Sequence, residues 1–210
     1  MFKNNGLFDY SMKQLIAQGA EAKIYHSDDK ILKERVTKSY RIAQIDSKLR
    51  KERTRAEAKL IRTLERAGVP VPAVLKEDDK GMALELEFID GEKVRDYLER
   101  AEDIEICKQI GELTAKMHSA NVVHGDLTTS NLILKGEKVY LIDLGLGEVS
   151  ERIEDKAVDL HLFKECLISK HHKIWEACWK NFVEGYKNEK VLGRLKIVES
   201  RGRYKQAKVF

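Results

Sequence analysis

Three oxygen-bearing side chains recur close together in the second half of the chain. Asp126 and Asn131 lie in HGDLTTSN, and Asp143 lies in LIDLG twelve residues beyond Asn131. Between them LILKGEKVYLI is apolar, then Lys-Gly-Glu, then apolar again, which predicts a hairpin turning at Lys135 to Glu137. The hairpin returns the chain and brings Asp143 beside the loop that carries Asp126 and Asn131. Two carboxylates and an amide gathered at strand ends make an oxygen-rich site suited to Mg²⁺, with coordination positions left for phosphate oxygens. Taken singly, Asp126 and Asn131 also read as turn caps. Phosphoryl transfer needs more: a lysine on the nucleotide and a base near the acceptor hydroxyl. Lys33, in KILKERV, is a strand lysine flanked by apolar residues, and Glu57 on the helix that follows could fix it. Gly19, in AQGAEAKIY, stands between the first two strands, where a phosphate-covering loop belongs.

The elements that must position these residues follow from periodicity. LIAQGAEAKIYHSDDKILKERV reads as short strands at Leu15 to Ala17, Ala22 to His26 and Ile31 to Arg35. RAEAKLIRTLERAG is helical, since Ala56, Leu60, Leu64 and Ala67 recur at helical spacing and Gly68 ends the run. VPVPAVL is an extended connector, because each proline biases its predecessor away from helix. MALELEFI alternates apolar and acidic residues like a strand. Ile106, Ile110, Leu113 and Met117 form a helical stripe ending in HSANVVHGD. Two helices follow Asp143, roughly 156–168 and 173–186, and Trp175, Trp179, Phe182 and Tyr186 align on the second as core. The chain is therefore α+β. A β-rich lobe with one main helix covers residues 1–89, and a reduced α-helical lobe covers residues 90–210.

Composition sets the bounds. The 210 residues suffice for one large domain or two small lobes. No stretch reaches the apolar length of a membrane span, and MFKNNGLFDYSMKQL has no apolar core of a secretory signal. Cys107, Cys166 and Cys178 are odd in number and never in C-x-x-C pairs, which argues for a reducing compartment and against a disulfide frame or zinc site. A cytoplasmic location without membrane partners is the expectation. The net charge of +4 is unevenly spread: residues 30–59 hold eleven Lys/Arg against four Asp/Glu, and residues 190–208 hold seven against Glu199 alone. Either run by itself reads as a solvated face or a loose tail; together they point to a polyanionic partner.

The H-x-D-x-x-x-x-N loop, the D-x-G after the next hairpin, the strand lysine and the helix glutamate occur in protein-kinase order, and the chain resembles that superfamily from about Leu15 to Ile168. The resemblance implies a minimal bilobal protein-kinase-like fold that uses ATP and Mg²⁺. It implies that Lys33 contacts the α/β-phosphates and pairs with Glu57, and that Asp126 is the base or orients the acceptor. Asn131 and Asp143 would ligate Mg²⁺, and main-chain groups of Glu87 and Ile89 would face the adenine. Asp159, in AVDLHLF, would support the loop from behind. The departures are equally specific. Glu21 replaces a glycine of the nucleotide loop, where only Gly19 survives, and as a charged residue it could restrict turnover or reach toward the metal. Gly125 replaces the arginine that receives an activation-loop phosphate, and Thr128 stands where many protein kinases keep a lysine. After Gly145 only LGEVSERIEDKAVD precedes the supporting helix, too little for a peptide-docking activation loop.

A kinase of this size is similar to the small atypical kinase/ATPase subunits of the KEOPS complex, a group that includes the yeast bud-site-selection kinase. The residues that carry the likeness are GAEAKIY, ILKERVTKSYR, RTRAEAKLI, HGDLTTSNLIL, IDLGLG, EDKAVDLHLFKE and RGRYKQAK. The likeness implies an ATP-dependent Ser/Thr kinase or ATPase. Its partners would be the sugar-kinase-like subunit and other KEOPS subunits that make threonylcarbamoyl-adenosine in tRNA. It also gives the basic run of Lys38, Arg41, Arg50, Lys51 and Arg53, and the tail residues Arg201, Arg203 and Lys205, a polyanion to meet in tRNA. Two readings compete. One is a RIO-type or small-molecule kinase, since HGD occurs there too, although the extra C-terminal helices of an aminoglycoside or choline pocket are missing. The other is a catalytically silent scaffold for tRNA or a partner, against which the joint presence of Lys33, Asp126, Asn131 and Asp143 argues.

Overall fold

Lys33 sits on the central strand of an antiparallel sheet. In a computed structural model that describes residues 13–206, with side chains as far as Arg201, the chain forms two compact units. One comprises the chain up to Thr54 together with Val74–Phe88; the other comprises Arg55–Ala73 and the chain from Ile89 onward. In the first unit β1 (Gln14–Gln18), β2 (Ala22–Ser27), β3 (Lys30–Arg35), β4 (Val74–Asp78) and β5 (Ala83–Glu87) pair in the order β1-β2-β3-β5-β4. Lys33 stands opposite Ile24 on one side and Leu84 on the other. Leu32, Ala83, Leu84 and Leu86 are buried, with Tyr25 packed against Leu32 and Ala83. The proline-containing connector has no regular structure over 69–73, and its last two residues, Val74 and Leu75, enter β4.

Helix α1 (Ala43–Arg66) begins well before Arg55, where the sequence pattern placed its start. Its first half buries polar side chains, so apolar periodicity does not reveal it. Asp46 is 1% exposed and accepts from Arg50 Nε at 2.7 Å and from the Lys38 amide at 3.3 Å, with Arg41 3.6 Å away. Thr54 donates to the Arg50 carbonyl at 2.8 Å. Burial raises the Asp46 carboxyl, but the hydrogen bonds from Arg50 and Lys38, with the charges of Arg50 and Arg41, outweigh it and hold the group below its ordinary value.

The second unit receives the end of α1, where Ala58, Leu60, Ile61 and Leu64 are buried. Then follow β6 (Glu92–Lys93), α2 (Val94–Ala101), α3 (Ile106–Ser119), β7 (Val122–Val123), β8 (Leu132–Lys135), β9 (Lys138–Leu141) and β10 (Glu148–Val149). The predicted hairpin is β8–β9, with Lys135 opposite Lys138, and β6 extends it. Helices α4 (Ile153–Lys170), α5 (Trp175–Tyr186) and α6 (Glu189–Gln206) complete the unit. Phe163, Phe182 and Tyr186 form its aromatic core, the Phe163 and Phe182 rings lying 4.6 Å apart, while Trp175 and Trp179 are half-buried.

The terminal basic run corrects the expectation of a loose tail and of only two helices after Asp143. Residues 189–206 are helical because Val191 and Leu195 fill a buried stripe and three ion pairs hold the rest. Arg194 and Arg201 both bind Glu154, and Lys164 binds Glu199 at 2.7 Å. The side chains of Arg203 and Lys205 lie outside the described residues. Among the described residues no helix is long and apolar enough to cross a membrane.

Helices α3 and α5 cross through glycines. A Cβ at Gly111 would lie 2.1 Å from the Phe182 carbonyl oxygen, and one at Gly185 would lie 2.1 Å from that of Lys108. Backbone cannot yield as a side chain can, so the crossing admits no methyl group. Gly185→Ala should therefore lower stability by about 1–3 kcal/mol, read as a fall in thermal midpoint; an unchanged midpoint would contradict the close crossing.

Candidate active site

The strand β7 delivers the chain to the 124–131 loop, and a single buried carboxylate receives it. Asp159, on α4 and 1% exposed, accepts from the His124 amide at 2.6 Å through Oδ2 and from the Gly125 amide at 2.8 Å through Oδ1. Oδ2 also meets His118 Nε2 at 3.2 Å. At the far end of the loop the buried Thr129 hydroxyl lies 3.0 Å from His171 Nε2 and 3.4 Å from the Cys166 sulfur. Leu127 is fully buried between these anchors. Gly125 has φ +76°, and a Cβ there would lie 2.4 Å from the Leu146 carbonyl oxygen. Strand β10 pairs with β7, Glu148 opposite Val123, so the segment after Asp143 returns along the strand that feeds the loop.

Within the loop, Asp126 and Asn131 lock together. The Asn131 amide nitrogen donates to the Asp126 carbonyl and to its Oδ2, each at 2.9 Å. A backbone carbonyl can only accept, so Asn131 must turn its nitrogen to Asp126, and its carbonyl oxygen is the atom left for a cation. Ile142 ties Asp143 to the same loop. Its amide donates to the Asn131 carbonyl at 3.0 Å, and its carbonyl lies 3.1 Å from His124 Nε2. The Asp126 amide donates to His124 Nδ1 at 3.3 Å, which leaves the His124 proton on Nε2, facing Ile142. Asp143 itself is exposed, adopts φ +60° and accepts from the Gly145 amide at 3.3 Å. An aspartate tolerates this left-handed backbone better than most residues, at a cost of about 1 kcal/mol or more.

The other expected residues distribute as follows. Lys33 and Glu57 are buried, 7% and 2% exposed, the first on β3 of the first unit and the second on the part of α1 that belongs to the second. Glu87 ends β5, and Ile89, which is buried, opens the continuation of the second unit. The intervening Phe88 amide donates to the Asp29 carbonyl at 2.9 Å. Gly19 is exposed in the β1–β2 turn, with its amide 2.9 Å from the Ala22 carbonyl. Glu21 meets Arg53 at 2.6 Å and Lys38 at 3.7 Å, and Lys38 also donates to the Ala20 carbonyl. The remaining members of the basic run also have acids beside them: Arg41 and Arg50 at Asp46, and Lys51 3.5 Å from Asp79. Sequence reasoning gave His118, His171 and Tyr186 no part in the site, setting His171 with His172 aside as poor zinc ligands. The first showed only as the end of an apolar stripe and the last only as core. Among the described residues no cluster of three or more His, Cys, Asp or Glu could hold a metal by itself. Asn131 and Asp143 present an amide oxygen and a carboxylate, oxygen donors of the kind that would suit a hard cation also bringing phosphate oxygens.

Against known proteins, residues 11–186 match the lipopolysaccharide kinase (Kdo/WaaP) family. The chain is 42% identical over 213 residues to the KEOPS complex subunit Bud32 of Pyrococcus abyssi, with 92% of this chain and 97% of that one covered. It is 42% identical over 197 residues to the probable bifunctional tRNA threonylcarbamoyladenosine biosynthesis protein of Methanothermobacter thermautotrophicus, covering 90% of this chain and 36% of that one. The protein of the same name from Methanocaldococcus jannaschii is 40% identical over 201 residues, 91% of this chain and 37% of the other. The chain thus spans nearly all of the first relative and little more than a third of the two bifunctional ones.

Two histidines that hold the loop are kept neutral. Burial pulls His118 below its ordinary value against the opposing pull of Asp159, and burial does the same to His171 against Glu99. As pH falls through the ordinary histidine value of about 6.5, the unfolded chain takes up protons that the folded chain refuses, so stability is full above that pH and declines below it. The thermal midpoint should hold steady above about pH 7 and fall as pH drops through 6.5, with a shallower fall in His171→Gln; parallel curves for the two proteins would contradict the assignment.

Proposed function

The chain belongs to the kinase-like lipopolysaccharide kinase (Kdo/WaaP) family and to the family of the KEOPS subunit Bud32. From that membership we propose that it is an ATP-dependent phosphotransferase or ATPase, serving threonylcarbamoyladenosine modification of tRNA within a KEOPS-type complex. Use of ATP with a divalent metal goes with a kinase-like family; Mg²⁺ is the ion proposed here, since one carboxylate and one amide oxygen suit it. The observation that carries the reading is the lock between Asp126 and Asn131, with Asp143 joined to it through Ile142 and the whole loop hung on Asp159.

In this reading Asp126 orients the acceptor or takes its proton. Asn131 and Asp143 hold the metal, Lys33 is assigned to the α/β-phosphates with Glu57 as its partner, and Glu87 and Ile89 offer main-chain groups to the adenine. Glu21, engaged by Arg53 and Lys38, is assigned to holding the nucleotide loop rather than to the metal. The acceptor is a protein Ser/Thr hydroxyl or water. The partner is a sugar-kinase-like subunit. In the relatives named bifunctional the matching region is one part of a longer chain, which supports a second polypeptide working beside this one.

Incubation with γ-labelled ATP tests the reading, with free phosphate and labelled protein counted separately, in the presence and absence of the partner subunit and tRNA. Asp143→Ala should lower turnover roughly a hundredfold; equal turnover in the two proteins would reduce the chain to a scaffold. For the tail, Arg203→Gln with Lys205→Gln should make log affinity for tRNA fall less steeply with log salt, by roughly two in slope. An unchanged slope would remove the tail from the tRNA contact.

A further inference from the structure

We propose that Tyr186, at the C-terminal end of α5, is a positioning residue for the 124–131 loop: its hydroxyl holds His118 in the tautomer that donates to Asp159, the carboxylate from which the first two loop amides hang. The inference rests on the reading of that loop as catalytic. Tyr186 Oη lies 2.7 Å from His118 Nδ1, and His118 Nε2 lies 3.2 Å from Asp159 Oδ2. All three side chains are buried, none more than 2% exposed.

The proton positions follow from the partners. An ionised carboxylate only accepts, so Nε2 must carry a proton. Burial keeps the ring neutral, so Nδ1 has none and can only accept from Tyr186. Burial, with the charge of Asp159 added, pushes the tyrosine hydroxyl well above its ordinary value, and it retains the proton it donates. The groups that face His118 are Asp159 and Lys156 from α4, Tyr186 from α5 and His124 from the loop. Lys156 opposes a positive ring and Asp159 favours one, so the hydroxyl is the neutral group that fixes which nitrogen is protonated.

Two features make the arrangement more than a packed core. The Gly111 and Gly185 crossing brings α5 close enough to α3 for a direct hydrogen bond between their ends. The same oxygen of Asp159 that meets His118 also accepts the His124 amide, so a change at the ring is felt by the loop without any intervening side chain. Without the hydroxyl, Nδ1 loses its donor and takes a proton more readily. A charged ring would draw Asp159 toward α3 and away from the loop amides.

The test is Tyr186→Phe, which removes one oxygen. Nitrogen-15 spectra of the His118 ring in the wild type should show protonated Nε2 and bare Nδ1. In Tyr186→Phe the ring should titrate about one unit higher, a tenfold easier protonation. The acid limb of kcat should move up with it, while KM for ATP stays within about twofold, because nucleotide contacts are untouched. In a His118→Gln background, where the side chain has no tautomer and does not titrate, Tyr186→Phe should leave the pH profile where it was. An unchanged tautomer and titration in Tyr186→Phe overturns the proposal. So does an unshifted kcat profile in an active enzyme. A wild type without ATP turnover would sink the catalytic reading while the spectra still decide the tautomer claim. Should Tyr186→Phe not fold, a wild-type His118 found charged or protonated on Nδ1 overturns the proposal by itself.

Discussion

The carboxylate of Asp159 is the constraint on which the second unit is organised. A buried negative charge is tolerated only when hydrogen bonds replace the water it has lost. Asp159 obtains them from the His124 and Gly125 amides and from His118, so its stability and the placement of the loop are one condition. From there the dependence runs outward. His124, once fixed, takes the Asp126 amide on one ring nitrogen and faces the Ile142 carbonyl with the other. Ile142 in turn holds Asn131, and Asp143 follows as the next residue. Asp126, Asn131 and Asp143 are set in place by one anchor, with backbone groups supplying most of the links.

The first unit shows a different use of charge. Its excess of Lys and Arg looks like a uniformly basic surface when counted along the chain, yet the side chains in question are largely paired. Asp46 gathers Arg41 and Arg50, Glu21 gathers Arg53 and Lys38, and Asp79 faces Lys51. Pairs as exposed as Glu21 with Arg53 contribute on the order of 1 kcal/mol or less. Such pairs are weak enough to yield at little cost to the polyanion proposed for this face. Asp46, being buried, is a structural tie for α1 rather than a partner that yields.

Much of this was legible in the sequence. The hairpin β8–β9 is readable because its apolar runs and a Lys-Gly-Glu turn agree, and it brings Asp126, Asn131 and Asp143 into one neighbourhood. Asp159 was legible only through resemblance to kinases, since an aspartate in a helix carries no signal of what it accepts. The first half of α1 escaped because Asp46 and Thr54 occupy positions where periodicity looks for apolar side chains. Helix α6 escaped because its apolar stripe is short and its charges invited a reading as a tail, although Val191 and Leu195 stand four apart. Tyr186 was correctly read as core, but its hydroxyl finds its partner across a helix crossing, which no local pattern encodes.

The course of the Leu146 carbonyl past Gly125 restricts which residues that position can accept. At this position the protein kinases that the chain resembles carry the arginine that reads an activating phosphate. Here the backbone of the returning segment fills the space where the first carbon of any such side chain would begin, 2.4 Å from a carbonyl oxygen. An arginine cannot be accommodated there by one substitution, because the segment after Asp143 would first have to take another course. That rerouting would in turn unpair β10 from β7 before it conferred any benefit. Each step is unfavourable without the other. That mode of control is closed to this fold by the path of a main chain rather than by the choice of one side chain.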